Sequence, residues 1–417
     1  MHTQRVALVF TVLWFFSSGA HAQPSESVFA GLPTAAQHSI YSTLSQRVPG
    51  LSWAELAKLT SSNGETGDYF GGSLAVSGDT VVVGMNNYGR NYVYVFVKPA
   101  SGWADMVETA ELTPSDGGNN FGTSVAIDGD TVAVGSSGNY PHGQVYVYMR
   151  PSTGWRNMTE TARLTTTIEY GYTIGYRVAV SGSTVLTDSY SDSPVLVYER
   201  NKHGWKNSSA PSATLNSSSV ASFGIGGNTV VVGEGADALI FLKPQGGWVG
   251  NVDPAATLVP SDSPSYFGTS VAIDNRSRTV VVAARVCGLC YPGELYVFTR
   301  PVQGWINMTQ KAKLKVPNNF GLPTVAISEN GETVVAGSPG ATIGTNQFQG
   351  AVYVFTKPKS GWRTTKKFSA KLIATDGAPN DQLGTSVGVS GSTIVAGAPN
   401  ATIGLNSYQG AAYVFGK

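Results

Sequence analysis

Cysteine is almost missing from this 417-residue chain: only Cys287 and Cys290 occur. That excludes a disulfide-dense scaffold and a four-cysteine zinc module. Charge is scarce as well, at 13 % of residues with a formal net charge of +1. So even a balance argues against a nucleic-acid partner held by electrostatics. No apolar run reaches the roughly 20 residues of a membrane-spanning helix. The longest, Val6–Phe16, has eleven residues; it follows Arg5 and precedes Ala20-His21-Ala22. A basic start, a short apolar stretch and a small-x-small site predict a secretory leader over residues 1–22, with the mature chain beginning at Gln23.

What is abundant is glycine, 50 residues, together with short valine-rich and tyrosine-rich runs, a composition that points to an all-β protein. Seven tryptophans, Trp53, Trp103, Trp155, Trp205, Trp248, Trp305 and Trp362, follow one another at intervals of 50, 52, 50, 43, 57 and 57 residues. A fixed period of this size marks a repeat architecture. Around each tryptophan lie four short runs, in the second copy "TSVAI", "TVAVG", "QVYVY" and "TARLT". Apolar and polar residues alternate with period two, and Gly or Asp separates the runs, which reads as four antiparallel strands. One such sheet cannot bury both faces alone, but radial stacking of seven can: a seven-bladed β-propeller of four-stranded blades over residues 53–417.

The last copy stops after its third strand, "AAYVF", while "WAELAKLT" at Trp53–Thr60 is a fourth strand without a blade. Pairing of residues 54–60 with Ala412–Phe415 closes the ring and removes an open edge. Upstream, in residues 23–52, Leu32, Ala36, Ile40 and Leu44 recur every four residues, with Pro33 in the first turn and Pro49-Gly50 as a stop, predicting a short amphipathic helix packed on the ring. Cys287 and Cys290 fall in a loop between strands, where a local disulfide staple is favoured over redox chemistry.

The repeated words "FGTSVAI" at Phe121 and Phe267, "LGTSVGV" at Leu383, "GSP" at Gly337, "GAP" at Gly397 and "GAVYVF" at Gly350 resemble FG-GAP repeats. These build the integrin alpha-chain propeller, and the chain is more similar still to secreted bacterial FG-GAP proteins. The resemblance implies a propeller in the outer compartment that serves adhesion or ligand binding. Integrin-type repeats hold calcium in the loop between the first two strands on a DxDxDG run. Here that loop is "SGDT", "DGDT", "SGST" or "GGNT", or the longer "DNRSRT" at Asp274 and "SENGET" at Ser328 without alternating acids, all too poor in carboxylates for an ion that takes six to eight oxygens, so no metal or other cofactor is expected. The FG pair is also altered in three blades, to Ile174-Gly175, Ser219-Val220 and a shifted Phe320-Gly321, which predicts looser packing there.

Catalysis needs acids, bases or nucleophiles that converge. Past the leader only His38, His142 and His203 remain, and the last two fall in loops on opposite faces of the ring. Recognition is the better reading. The loops that join a fourth strand to the next blade, and a second strand to the third, share one face and vary most between copies. They carry Tyr88, Arg90, Tyr140, Tyr190, Arg285, Tyr291, Phe348 and Tyr408, with Asn86, Asn87, Asn139 and Asn346 among them. Aromatic, amide and guanidinium groups on a rigid scaffold suit an extracellular protein or glycan. The expectation is a secreted or periplasmic, monomeric, non-catalytic module. An enzyme of extracellular polysaccharides with a site at the ring's mouth, and a structural envelope protein, are the alternatives. Six Asn-x-Ser/Thr sequons, at Asn157, Asn207, Asn216, Asn275, Asn307 and Asn400, matter only in a eukaryotic secretory pathway, and in a chain this rich in Ser, Thr and Asn chance accounts for most of them.

Overall fold

Runs such as Thr80–Gly84 and Thr229–Gly233 are buried at every position, whereas Ala54–Leu59 alternates half-buried with buried. The difference locates them. A second strand is covered on both faces by neighbouring blades, while an outer strand turns one face to water. The computed structural model describes residues 53–85, 89–138, 142–167, 173–188, 194–285, 293–317 and 324–417. In these residues there are seven antiparallel sheets and no helix. The leader, the helix expected in residues 23–52, and the Cys287 and Cys290 loop lie outside the described residues.

Each blade runs inner strand, second, third, outer. Blade 1 is Ser73–Ser77, Thr80–Gly84, Val93–Val97 and Ala110–Thr113. Blade 7 is drawn from both ends of the described chain: Ala54–Leu59 pairs antiparallel with Ala411–Gly416, Ala57 facing Val414 and Leu59 facing Ala412. The expected closure is therefore the observed one. Seven apolar clusters fill the seven seams between blades, and each receives one of the seven tryptophans. Phe70, Phe121 and Phe267 are buried and meet third-strand rings edge-on, Phe121 lying 5.4 Å from Tyr146 and Phe267 5.2 Å from Tyr296.

Three sheets hold five strands rather than the expected four. The extra strand comes from the next blade: just past the tryptophan, Met158–Thr159, Gly250–Val252 and Met308–Thr309 lie parallel against the preceding outer strand. Single bridges, Leu59 to Met106, Leu164 to Ser208 and Leu314 to Thr365, repeat this elsewhere. A side chain two residues past the tryptophan finishes the arm. Asp105, Asn157, Asn207, Asn307 and Thr364 accept from the amides of Lys58, Glu111, Arg163, Thr257 and Lys313 at 2.8–3.1 Å. Three of the six sequon asparagines thus have a structural role as acceptors for a neighbour's outer edge.

Nearer the axis the seams depend on glycine. A Cβ on Gly84, Gly135, Gly233, Gly337 or Gly397 would lie 2.0–2.2 Å from the carbonyl oxygen of Gly122, Gly175, Gly268, Gly384 or Gly71 in the next blade. The Ile174-Gly175 variant of blade 3 corrects the expectation of looseness: Ile174 is buried and Gly175 meets Gly135 as closely as its counterparts meet theirs. Where blade 4 has no FG glycine, the position facing it in blade 3 is Asp188 instead of Gly.

Candidate functional site

Six residues bearing side chains take the left-handed backbone region at matching places in the repeat: Tyr69, Asn120, Tyr266 and Gln382 before an FG-type pair, and Phe348 and Tyr408 before a Gln-Gly pair. Their φ values run from 51° to 59°. That region is costly for an L-residue, on the order of 1 kcal/mol each, and tolerated only where neighbours enforce it. Here the next blade does so. The Tyr69 and Phe70 amides donate to the Tyr408 and Gln409 carbonyls at 2.9 Å, and the Gln382 and Leu383 amides to those of Phe348 and Gln349 at 3.0 and 2.9 Å.

The consequence is a set of aromatic rings held outward on one face. Tyr69, Tyr266, Phe348 and Tyr408 are all at least 37 % exposed, although each adjoins the buried wall of the ring. Tyr69 and Tyr408 stand 5.9 Å apart across the seam between blades 7 and 1, tilted by 35°. The same blade 7 loop carries Leu405, which is 99 % exposed at the tip of a turn closed by Ile403 and Asn406.

Of the residues singled out from sequence, the structure brings Phe348 and Tyr408 into this set. Arg90 sits on the same face but is turned inward. Its guanidinium reaches the buried Asp68 at 3.2 Å, Glu65 at 3.2 Å and the Asn63 carbonyl at 2.7 Å, so it braces the loop that presents Tyr69. Arg285 ends the strand Thr279–Arg285. Tyr88, Tyr140, Tyr190, Tyr291, Asn86, Asn87 and Asn139 fall outside the described residues. Asn346 is turned inward and donates to Gln349 at 3.0 Å. Variation between copies does not mark Tyr69 and Tyr266, which sit at a fixed place in the repeat. Their signal is a bulky residue directly before an FG-type pair, a position that takes the left-handed region in blades 1, 2, 5 and 7.

The seam between blades 3 and 4 opens on the same face. At four other seams a Ser or Thr donates to the carbonyl of the next blade's FG-type glycine, as Ser386 does to Gly71 at 2.7 Å. Here Arg177 stands at that place and reaches the Val220 carbonyl at 2.9 Å. Asp188, fully buried, pairs with Arg177 at 2.8 Å. Burial pushes the Asp188 carboxyl up to about 6, opposed by the guanidinium. A carboxyl raised in the folded state contributes stability below its unfolded value of 3.8 that is lost as pH climbs through the folded value. Arg177→Met removes the opposing charge, so the variant should melt higher near pH 5 than near pH 8, by a wider margin than the parent. Equal melting at both pH values would refute a buried, uncompensated carboxyl.

On the opposite face, where integrin-type repeats hold calcium, the turn residues join the blades. Ser77, Asp128, Ser181 and Ser390 accept from the turn glycine amides of Gly129, Gly182, Gly227 and Gly78 in the neighbouring blade at 2.6–3.2 Å. His203 is exposed in a turn after a third strand, and the His142 carbonyl accepts from the Ile174 amide. Among the described residues no three His, Cys, Asp or Glu side chains gather as a metal site.

The model of the FG-GAP repeat family matches residues 53–96, 106–148 and 367–415. The chain carries FG-GAP repeats in three places and folds as a seven-bladed β-propeller. The matched stretches hold most of blades 7, 1 and 2, whose seams keep paired glycines; the departure at Asp188 lies between them. No curated protein sequence matches the chain. Among solved structures, the WD40 beta propeller domain of Doa1 superposes with a TM-score of 0.50 at 11 % identity, covering 88 % of this chain and 97 % of that one. Hydrazine synthase of Kuenenia stuttgartiensis does so with a TM-score of 0.51 at 12 % identity, covering 84 % and 95 %. At such identities the likeness is one of fold.

Proposed function

We propose that this FG-GAP propeller is a non-catalytic recognition module, exported from the cell, that binds an extracellular protein or glycan through the aromatic face. One observation carries the reading: Tyr69, Tyr266, Phe348 and Tyr408 are held outward in a strained backbone conformation, which a merely structural loop would relieve with glycine. Exposed rings on a rigid frame supply contact area at little entropic cost, stacking on sugar faces or filling partner pockets. The tilted Tyr69–Tyr408 pair, with Leu405 in the same loop, forms the centre of the surface.

The test is binding of the mature chain to panels of glycans and cell-envelope proteins, with and without calcium, while the same glycans are assayed for cleavage. Saturable binding without turnover is expected. The double variant Tyr69→Gly, Tyr408→Gly should weaken it by at least about tenfold, the loss typical of central interface aromatics. Its melting temperature should hold or rise, because glycine accepts this backbone region without strain. Binding that survives both substitutions would move the site elsewhere, and turnover would overturn the non-catalytic reading.

A further inference from the structure

On the face opposite the aromatic rings, six blades carry a cation directly after the third strand: Lys98, Arg150, Arg200, Lys243, Arg300 and Lys357. Each of their amides donates to a carbonyl in the turn between the first two strands, those of Asp79, Asp130, Ser183, Asn228, Arg278 and Glu332 in the same order, at 2.8–2.9 Å. The cation and that turn residue therefore stand opposite each other. In blades 1 and 2 the turn residue is the counter-ion, Asp79 lying 3.6 Å from Lys98 and Asp130 2.7 Å from Arg150, and blade 6 keeps an acid there in Glu332. Blades 3, 4 and 5 have Ser183, Asn228 and Arg278 instead.

Blade 5 has reversed the sign. Arg278 faces Arg300 just beyond the Thr279–Thr299 pair, and like charges placed opposite each other are destabilising. Arg276 stands two residues away in the same turn, and the buried Ser277 between them bonds the Gly226 carbonyl of blade 4. All three arginines are exposed. The acids of this arc are engaged: Glu199 by Lys243 and Thr184, and Asp274, buried beneath the turn, by the Arg278 amide at 2.9 Å. Among the described residues Arg200, Arg276, Arg278 and Arg300 make no ion pair. The residues outside the described set hold three acids, Glu26, Glu169 and Asp192, fewer than these four arginines.

We propose that the arc of blades 3 to 5 binds an acidic polysaccharide, whose anionic groups pair with Arg200, Arg276, Arg278 and Arg300. Guanidinium forks match the paired oxygens of carboxylate and sulfate groups, and an anion between Arg278 and Arg300 relieves their repulsion. The cations recur once per blade on a rigid ring, which suits a polymer whose sugar units hold charge at a fixed interval; a flexible acidic polypeptide would first have to be ordered. The site lies opposite the aromatic face and stands independently of that reading.

The probes are polygalacturonate and dextran sulfate, with neutral dextran and poly-L-glutamate as comparisons. At least one of the two acidic polysaccharides should bind saturably and raise the melting temperature, and raised salt should weaken the binding by screening these exposed charges. Poly-L-glutamate should bind at least about tenfold less tightly, and dextran not at all. Arg278→Asp gives Arg300 the partner that Arg150 has in blade 2, so the melting temperature should hold or rise while binding falls at least about tenfold. Arg276→Ser, altered only at an exposed side chain, should weaken binding in the same direction. Arg150→Ser, which removes a cation already paired, and the double variant Tyr69→Gly, Tyr408→Gly should bind as the parent does. Three results would overturn the proposal: no saturable binding of either acidic polysaccharide, equal or tighter binding of poly-L-glutamate, which would make the occupant an acidic protein segment, or binding that both arginine variants of blade 5 leave unchanged.

Discussion

Deletion of Ala54–Leu59 should lower the melting temperature by at least about 10 °C and drive self-association. The strand brings Ala57 and Leu59, both fully buried, into the seam between blades 7 and 1, and it carries the Lys58–Asp376 and Glu55–Thr375 contacts. Losing the buried Leu59 and the small Ala57, a half-buried Leu56 and these polar contacts amounts to about 5 kcal/mol, and a chain of this size moves about 2 °C per kcal/mol. The larger consequence is geometric. Without the strand, Ala411–Gly416 becomes a long unpaired edge beside an uncovered seam, a template for another chain. Size-exclusion chromatography with thermal melting reads both effects. A deletion that stays at the parent's elution volume with unchanged melting would mean the ring does not depend on this closure.

Gly397→Ala should cost about 3 kcal/mol, near the top of the usual range for overpacking. Its Cβ would lie 2.0 Å from the Gly71 carbonyl oxygen and 2.5 Å from Ser386 Oγ. The hydroxyl can rotate away, but the carbonyl belongs to the hydrogen-bonded turn that enters the inner strand of blade 1 and cannot move without shifting that strand. Gly391→Ala is the control. That glycine has φ of 55° at a turn tip with nothing within 4 Å of the added atom, so only the backbone penalty of about 1 kcal/mol applies. Denaturant melts of the two variants decide the point: equal losses would show that close approach of blades is not what glycine supplies at position 397.

The contrast between these glycines shows why some of the fold was legible beforehand. Tryptophans at a near-constant interval and valine runs of period two are local signals, and counting them yields seven blades and the pairing of the two ends. The glycine-to-glycine approach is not local. It joins positions about 40 residues apart in separate blades, such as Gly84 and Gly122, and nothing in either stretch alone names its partner. Asp188 makes the same point in reverse, since its exchange for glycine becomes intelligible only beside Arg177 and a blade 4 that has lost its FG pair.

The candidate site divides the same way. Phe348 and Tyr408 could be found because they lie in variable loops, but Arg90, chosen on the same grounds, braces buried Asp68. Side-chain direction depends on what lies beneath the loop, and that is supplied by a strand far off in sequence.

By itself, then, the order of residues determined the architecture: the all-β class, the blade count and the shared seventh blade, all written in short-range periodicity that hydrophobic burial must satisfy. Only the tertiary structure decided which asparagines clamp a neighbour's edge and which aromatic rings are forced outward. Each of these is a relation between two blades, set by the backbone amides and carbonyls that meet once the ring is closed, and a one-dimensional pattern does not contain it.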